Sequence, residues 1–202
     1  MTGAVVHIID DDAAVGRALT ALTRSAGHDA AAYLSATDFL DTAESPLTGC
    51  VVTDVRMPVL SGLDLLRELK RRGIGVPVIV MSGQGDIPMA VEALKLGAVD
   101  FIEKPFDASL YLECIRQALA QSETMARRQA TLTATRGRLA QLTHREREVM
   151  GLVVQGFSNF AVASQLGISA RTVENHRAKV MEKMAASGLS DLIRMALSLE
   201  PG

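Results

Sequence analysis

The sequence predicts an α/β domain built on a doubly wound five-stranded parallel sheet, followed by a smaller all-α domain. Three observations predict it. Short runs rich in β-branched residues alternate with helical patterns over residues 1–120. Residues 139–202 read as helices alone. The charge also changes sign: the first 120 residues carry 10 Lys and Arg against 16 Asp and Glu, and the remaining residues carry 11 against 7. An acidic half joined to a basic half suggests two jobs, the basic one compatible with a polyanion.

The elements follow in order. Val5–Ile9 is a short apolar run, and Ala13–Ser25 a helix that Asp12 can open. The segment 30–33 (Ala-Ala-Ala-Tyr) is a poor strand by propensity and is placed by rhythm. The runs 49–53, 77–81 and 99–103 are the remaining strands. Between them, Ser35 with Asp38 and Ser61 with Asp64 resemble capping boxes with a shortened acid. Asp86 can cap the helix Ile87–Leu96, with Gly97 after its end. Such alternation implies right-handed crossovers and a sheet covered on both faces.

The polar residues then fall into place. Asp10, Asp11 and Asp12 follow the first strand, Asp54 ends the third, Ser82 follows the fourth and Lys104 follows the fifth. In an open parallel sheet the carboxyl ends of the strands are where ligands bind. Carboxylates, a hydroxyl and an ammonium delivered there suit phosphoryl transfer. Clustered carboxylates call for a hard cation such as Mg²⁺, and a carboxylate can serve as the nucleophile. The simpler reading of Asp10–12 is a solvated turn that caps the next helix. A phosphatase using an aspartyl-phosphate would want a second Asp two residues past the nucleophile, where Arg56 stands.

Residues 1–120 resemble the receiver domains of two-component systems. The matching segments are His7-Ile-Ile-Asp-Asp-Asp12, Val52-Thr-Asp-Val-Arg-Met-Pro58 with Ser61-Gly62, Val80-Met-Ser-Gly83, Gly97-Ala98 and Phe101-Ile-Glu-Lys-Pro105. The resemblance implies the flavodoxin-like strand order 2-1-3-4-5, with Asp54 as phospho-acceptor. It also implies Mg²⁺ held by Asp11, Asp54 and the main-chain carbonyl of Arg56, with Asp10 acting through water. Ser82 and Lys104 would contact the phosphoryl group, and Lys104-Pro105 would be a cis peptide. Ser82 and Phe101 would be the switch pair, reshaping the surface of helix 87–96 and strand 99–103. Val91, Lys95 and Asp100 would be dimer contacts there.

Residues 107–122 read as a helix with an apolar stripe. Residues 121–138 read as a linker, although Met125, Leu132 and Leu139 are spaced seven apart. Thr143-His-Arg-Glu146 is a capping box opening the next helix, which Gly156 can end. Ser158 starts a short helix to Leu166, Gly167-Ile168-Ser169 turns the chain, and Ala170–Met184 follows, with a last helix at Leu189–Leu199. A short helix, a Gly-containing turn and a second helix is the helix-turn-helix plan.

Leu142-Thr-x-Arg-Glu-x-x-Val-Met150, Gly156-x-x-Asn159, Ala163-x-x-Leu166, Ile168-Ser169 and Arg171-Thr-Val-Glu-x-His176 with Lys183-Met184 resemble the LuxR-type DNA-binding domain. The two resemblances together point to the NarL/FixJ family of response regulators, nearest its FixJ branch. They imply a transcription factor, not an enzyme, phosphorylated by a partner sensor histidine kinase. It would dimerise and bind double-stranded DNA at an inverted repeat. Arg171, Thr172, Glu174, Asn175, His176, Arg177, Ala178 and Lys179 would be the DNA-facing residues. One departure stands out: Phe160 replaces the Lys usual in that family after Asn159. That leaves a protein-interaction module without DNA binding as the alternative. Cys50 and Cys114 fit no metal spacing, and no apolar run reaches the ~18 residues of a membrane span, so a reduced cytoplasmic protein is expected.

Overall fold

The structure is a computed structural model that describes residues 3–43, 45–83 and 87–199. It divides into two compact units between Ala126 and Arg127.

In the first unit five strands form one parallel sheet: β1 (Val5–Ile9), β2 (Asp29–Tyr33), β3 (Gly49–Asp54), β4 (Val78–Ser82) and β5 (Asp100–Glu103). Their order is β2-β1-β3-β4-β5, as the receiver resemblance implied. The helices between them are α1 (Ala13–Ser25), α2 (Ala36–Thr42), α3 (Gly62–Arg71), α4 (Ile87–Leu96) and α5 (Ala108–Ala140). Alternate side chains of the central strands enter two separate cores. Val51 and Val80 pack with Phe39, Leu65 and Ala93 from α2, α3 and α4. Val52, Ile79 and Met81 pack on the opposite face with Leu19 of α1 and Tyr111 and Ile115 of α5. Every residue of β3 is buried, so it reads as one apolar run with a single acid at its end. The alanines of β2 form a strand despite weak propensity because β1 supplies a full ladder of partners, Val5 opposite Asp29 through Ile9 opposite Tyr33.

Local chemistry sets most of the helix starts. Asp12, Ser35 and Ser61 each accept a backbone N–H of the helix they open. At α3 the expected reciprocal bond is replaced: Asp64 accepts from the Ser61 hydroxyl at 2.6 Å. An Asp is one methylene shorter than the Glu of a full capping box. Asp86, expected to cap α4, lies outside the described residues.

Residues 121–138 depart from expectation. The helix predicted to end at 122 runs unbroken to Ala140. That stretch lacks an apolar stripe, but Ala, Arg and Gln are strong helix formers without one.

The second unit is helical beyond α5: α6 (His144–Val154), α7 (Asn159–Leu166), α8 (Ala170–Met184) and α9 (Leu189–Leu199). Its core includes Leu142, Val149, Val162, Val173, Val180, Met184 and Leu192. Thr143 and Glu146 form the reciprocal capping box that the sequence predicts. Gly167, at φ 65°, turns the chain between α7 and α8, a conformation that costs glycine little.

Candidate functional site: an acidic crevice and a polar helix face

Four strands deliver side chains to one edge of the sheet. Asp10 follows β1 and is 2% exposed; Asp54 ends β3 and is 8% exposed. Ser82 ends β4 and is buried. Lys104 follows β5, its backbone N–H bound to the Ser82 carbonyl at 2.7 Å, and the Lys104-Pro105 peptide is cis. The Lys104 ammonium lies between the two buried acids, 2.9 Å from Asp10 Oδ2 and 2.5 Å from Asp54 Oδ1. The remaining oxygens accept backbone N–H groups: Asp10 Oδ1 from Asp12 at 2.9 Å, and Asp54 Oδ2 from Arg56 at 2.7 Å.

Backbone fit fixes the position of Asp54 further. Gly62 opens α3 against the Asp54 carbonyl, and a Cβ there would lie 2.3 Å from that oxygen. Burial alone pulls the pKa of Lys104 down, but its bonds to Asp54 and Asp10 outweigh this and hold it above its ordinary value. The lysine therefore stays charged.

Two carboxylates and one ammonium leave the crevice net negative, and exposed Asp11 adds to that. Among the described residues, no three Asp, Glu, His or Cys side chains gather closely enough to make a metal site alone. The donor set nevertheless suits Mg²⁺, which takes one or two carboxylates and completes its shell with water and phosphate oxygens.

Phe101 is half-buried and packs against the core beside α4, next to Val80 across the ladder. Val91 and Lys95 of α4 are exposed and Asp100 is half-buried. The sequence reading missed two residues here. Ile87 and Leu94 are 74% and 53% exposed and line up with Val91, 46% exposed, at the spacing of one helix face. The signal was present: α4 has apolar residues on both its inner and outer faces.

On α8, Arg171, Glu174, Asn175, Ala178 and Lys179 are exposed. None of the four polar side chains among them has a hydrogen bond or ion pair within the described residues. The other three predicted residues are drawn inward. Thr172 bonds Ser169 at 2.8 Å, and Arg177 donates to the Asn159 side chain on α7. His176 is half-buried, with an Nδ1 that has no partner. Phe160 projects from α7 at 81% exposure. No described helix is long and apolar enough to cross a membrane.

Comparison with known proteins agrees with this geometry. Residues 6–116 match the response regulator receiver domain, and residues 140–196 match the bacterial regulatory proteins of the luxR family. FixJ of Azorhizobium caulinodans is 49% identical over 192 residues, covering 95% of this chain and 91% of that protein. The response regulator TodT of Pseudomonas putida is 41% identical, covering 97% and 86%. Among solved structures, the response regulator StyR superposes with a TM-score of 0.86 at 34% identity, covering 97% of this chain and 99% of that one. Full-length FixJ from B. japonicum gives 0.60 at 43% identity, covering 98% of each.

The fold and the crevice define a response regulator. Within that class the chain belongs to the FixJ-like transcription regulators, a receiver domain joined to a luxR-type DNA-binding domain.

Proposed function

We propose that a sensor histidine kinase in the cytoplasm phosphorylates Asp54, and that this drives dimerisation through α4 and β5 and DNA binding through α8. The observation that carries the reading is the Lys104 ammonium bridging two buried carboxylates at the carboxyl edge of the sheet.

An Asp54 oxygen attacks the phosphorus of a phosphohistidine. The bond from phosphorus to the imidazole nitrogen breaks, and the imidazole leaves with the electron pair and takes up a proton. Lys104 then holds a phosphoryl oxygen in place of a carboxylate, and the Ser82 hydroxyl donates to another. Asp11, Asp54 and the Arg56 carbonyl would hold Mg²⁺, with Asp10 through water; the ion supplies charge neutralisation for the transferring group. The receiver thus catalyses only its own phosphorylation and dephosphorylation.

The phosphoryl group adds about 1.5–2 negative charges at pH 7. Ser82 moves toward it and Phe101 turns inward behind Ser82. The exposed apolar row Ile87, Val91 and Leu94, with Lys95 and Asp100, then meets a second copy. Two copies place two α8 helices in successive major grooves of an inverted repeat. The unpartnered Arg171, Glu174, Asn175 and Lys179 are free to meet phosphates and base edges.

The test is intact mass and promoter binding of wild type and Asp54→Ala with acetyl phosphate and Mg²⁺. The expected result is a phosphoryl mass gain and tighter DNA binding in wild type only. Phosphorylation without a change in DNA binding would transfer the output to a protein partner. Absence of an Asp54-dependent gain would overturn the switch.

A further inference from the structure

Cys114 lies on α5 and is 5% exposed, with its Sγ 3.1 Å from Asp100 Oδ2 at the start of β5. The other Asp100 oxygen accepts the Phe101 backbone N–H at 2.8 Å. Both oxygens of this half-buried carboxylate are therefore tied within its own chain, one of them by a thiol. Thiols are weak donors, and a charged acceptor is what makes such a bond short. Burial first, and Asp100 second, push the Cys114 thiol up to about 12. It keeps its proton at neutral pH, so it acts as a donor and not as a nucleophile.

The acid it holds borders an unpartnered surface. Lys95, in the last turn of α4, is exposed and has no ion pair among the described residues. Ile87, Val91 and Leu94 lie exposed along the same helix. In a symmetric dimer each residue of such a face meets the matching face of the other copy, so an acid there contributes most when its direction is fixed beforehand.

We propose that Cys114 is a positioning residue of the dimer face: its thiol donates to Asp100 Oδ2 and fixes that carboxylate toward a second copy of this chain. The inference rests on the α4–β5 dimer proposed above. Its test compares wild type, Cys114→Ala and Cys114→Ser as full chains with beryllium fluoride and Mg²⁺ as the phosphoryl mimic. Sedimentation equilibrium reads the dimer dissociation constant. Cys114→Ala leaves the carboxylate loose in the monomer, to be ordered only on association, and should weaken the dimer by about fivefold. Cys114→Ser, which keeps a donor, should stay within about twofold of wild type. The mass gain at Asp54 with acetyl phosphate should be equal in all three. The S–H infrared stretch of Cys114 should move in Asp100→Asn, which reads the bond without reference to the dimer. Wild-type dimerisation by Cys114→Ala, equal weakening in both variants, or an unmoved S–H stretch overturns the inference and leaves the dimer reading standing. A wild type that stays monomeric with the mimic overturns that reading, and the inference with it.

Discussion

Val59 holds a φ of 70° in the loop that follows β3. The Leu60 N–H reaches the Pro58 carbonyl at 2.8 Å across it, which makes a γ-turn of the rare positive-φ kind. Its side chain is 96% exposed, so no packing offsets the strain. A β-branched residue in that region costs about 1–2 kcal/mol, and glycine returns about 0.5–1 of that as lost chain freedom. Val59→Gly should therefore stabilise the receiver by about 0.5–1 kcal/mol, read as a higher urea midpoint at unchanged slope. Val59→Ala, still carrying a Cβ, should not. Nothing in the sequence announces this turn, because positive φ is normally advertised by Gly or Asn. Phe160 is the opposite case, legible at once as an oddity and confirmed as an exposed ring. Phe160→Lys should add one phosphate contact per subunit. DNA affinity at low salt would rise, and log K would fall more steeply with log salt by about 0.9 per added contact. An unchanged salt slope would place position 160 away from the DNA backbone.

Between elements, a buried carboxylate in the DNA-binding half joins α6 to α8. Glu146, its side chain 4% exposed, bonds Lys183 at 2.6 Å while also closing the capping box with Thr143. The Lys183 ammonium foremost, then the Thr143 N–H, hold its carboxyl down at about 2 against an ordinary 4.5. Because folding lowers this pKa, ionised Glu146 favours the fold. That contribution is complete above pH 4.5 and fades as pH falls toward 2. Wild type should melt above Glu146→Gln at neutral pH, and the gap should close on acidification; a constant gap would contradict the pair's role. Helix starts were legible in advance because caps are written in single side chains: Asp12, Ser35, Ser61, Thr143, Ser158 and Ser169 all stand where expected. The end of α5 was not. Its later turns offered only Met125, Leu132 and Leu139 at seven-residue spacing, a hint of a helical seam too sparse to mark where the helix ends.

At the scale of the whole molecule, the crevice was readable because a parallel sheet sends every strand's carboxyl end to one edge. Asp10, Asp54, Ser82 and Lys104 thus meet although they are far apart in the chain. What no pattern could supply were the pairings that depend on side-chain reach, such as Arg177 with Asn159 and Cys114 with Asp100. The receiver core on the face of α1 and α5 ends with Tyr111, Cys114, Ile115 and Ala118, with Leu119 packed against it, and the core of the other half starts with Leu139 and Leu142. Synthesis on the ribosome runs from the amino end, and domains fold as units in that order. The part that receives the signal is therefore free to fold before the DNA reader, and the newborn chain acquires its control before it acquires the activity to be controlled.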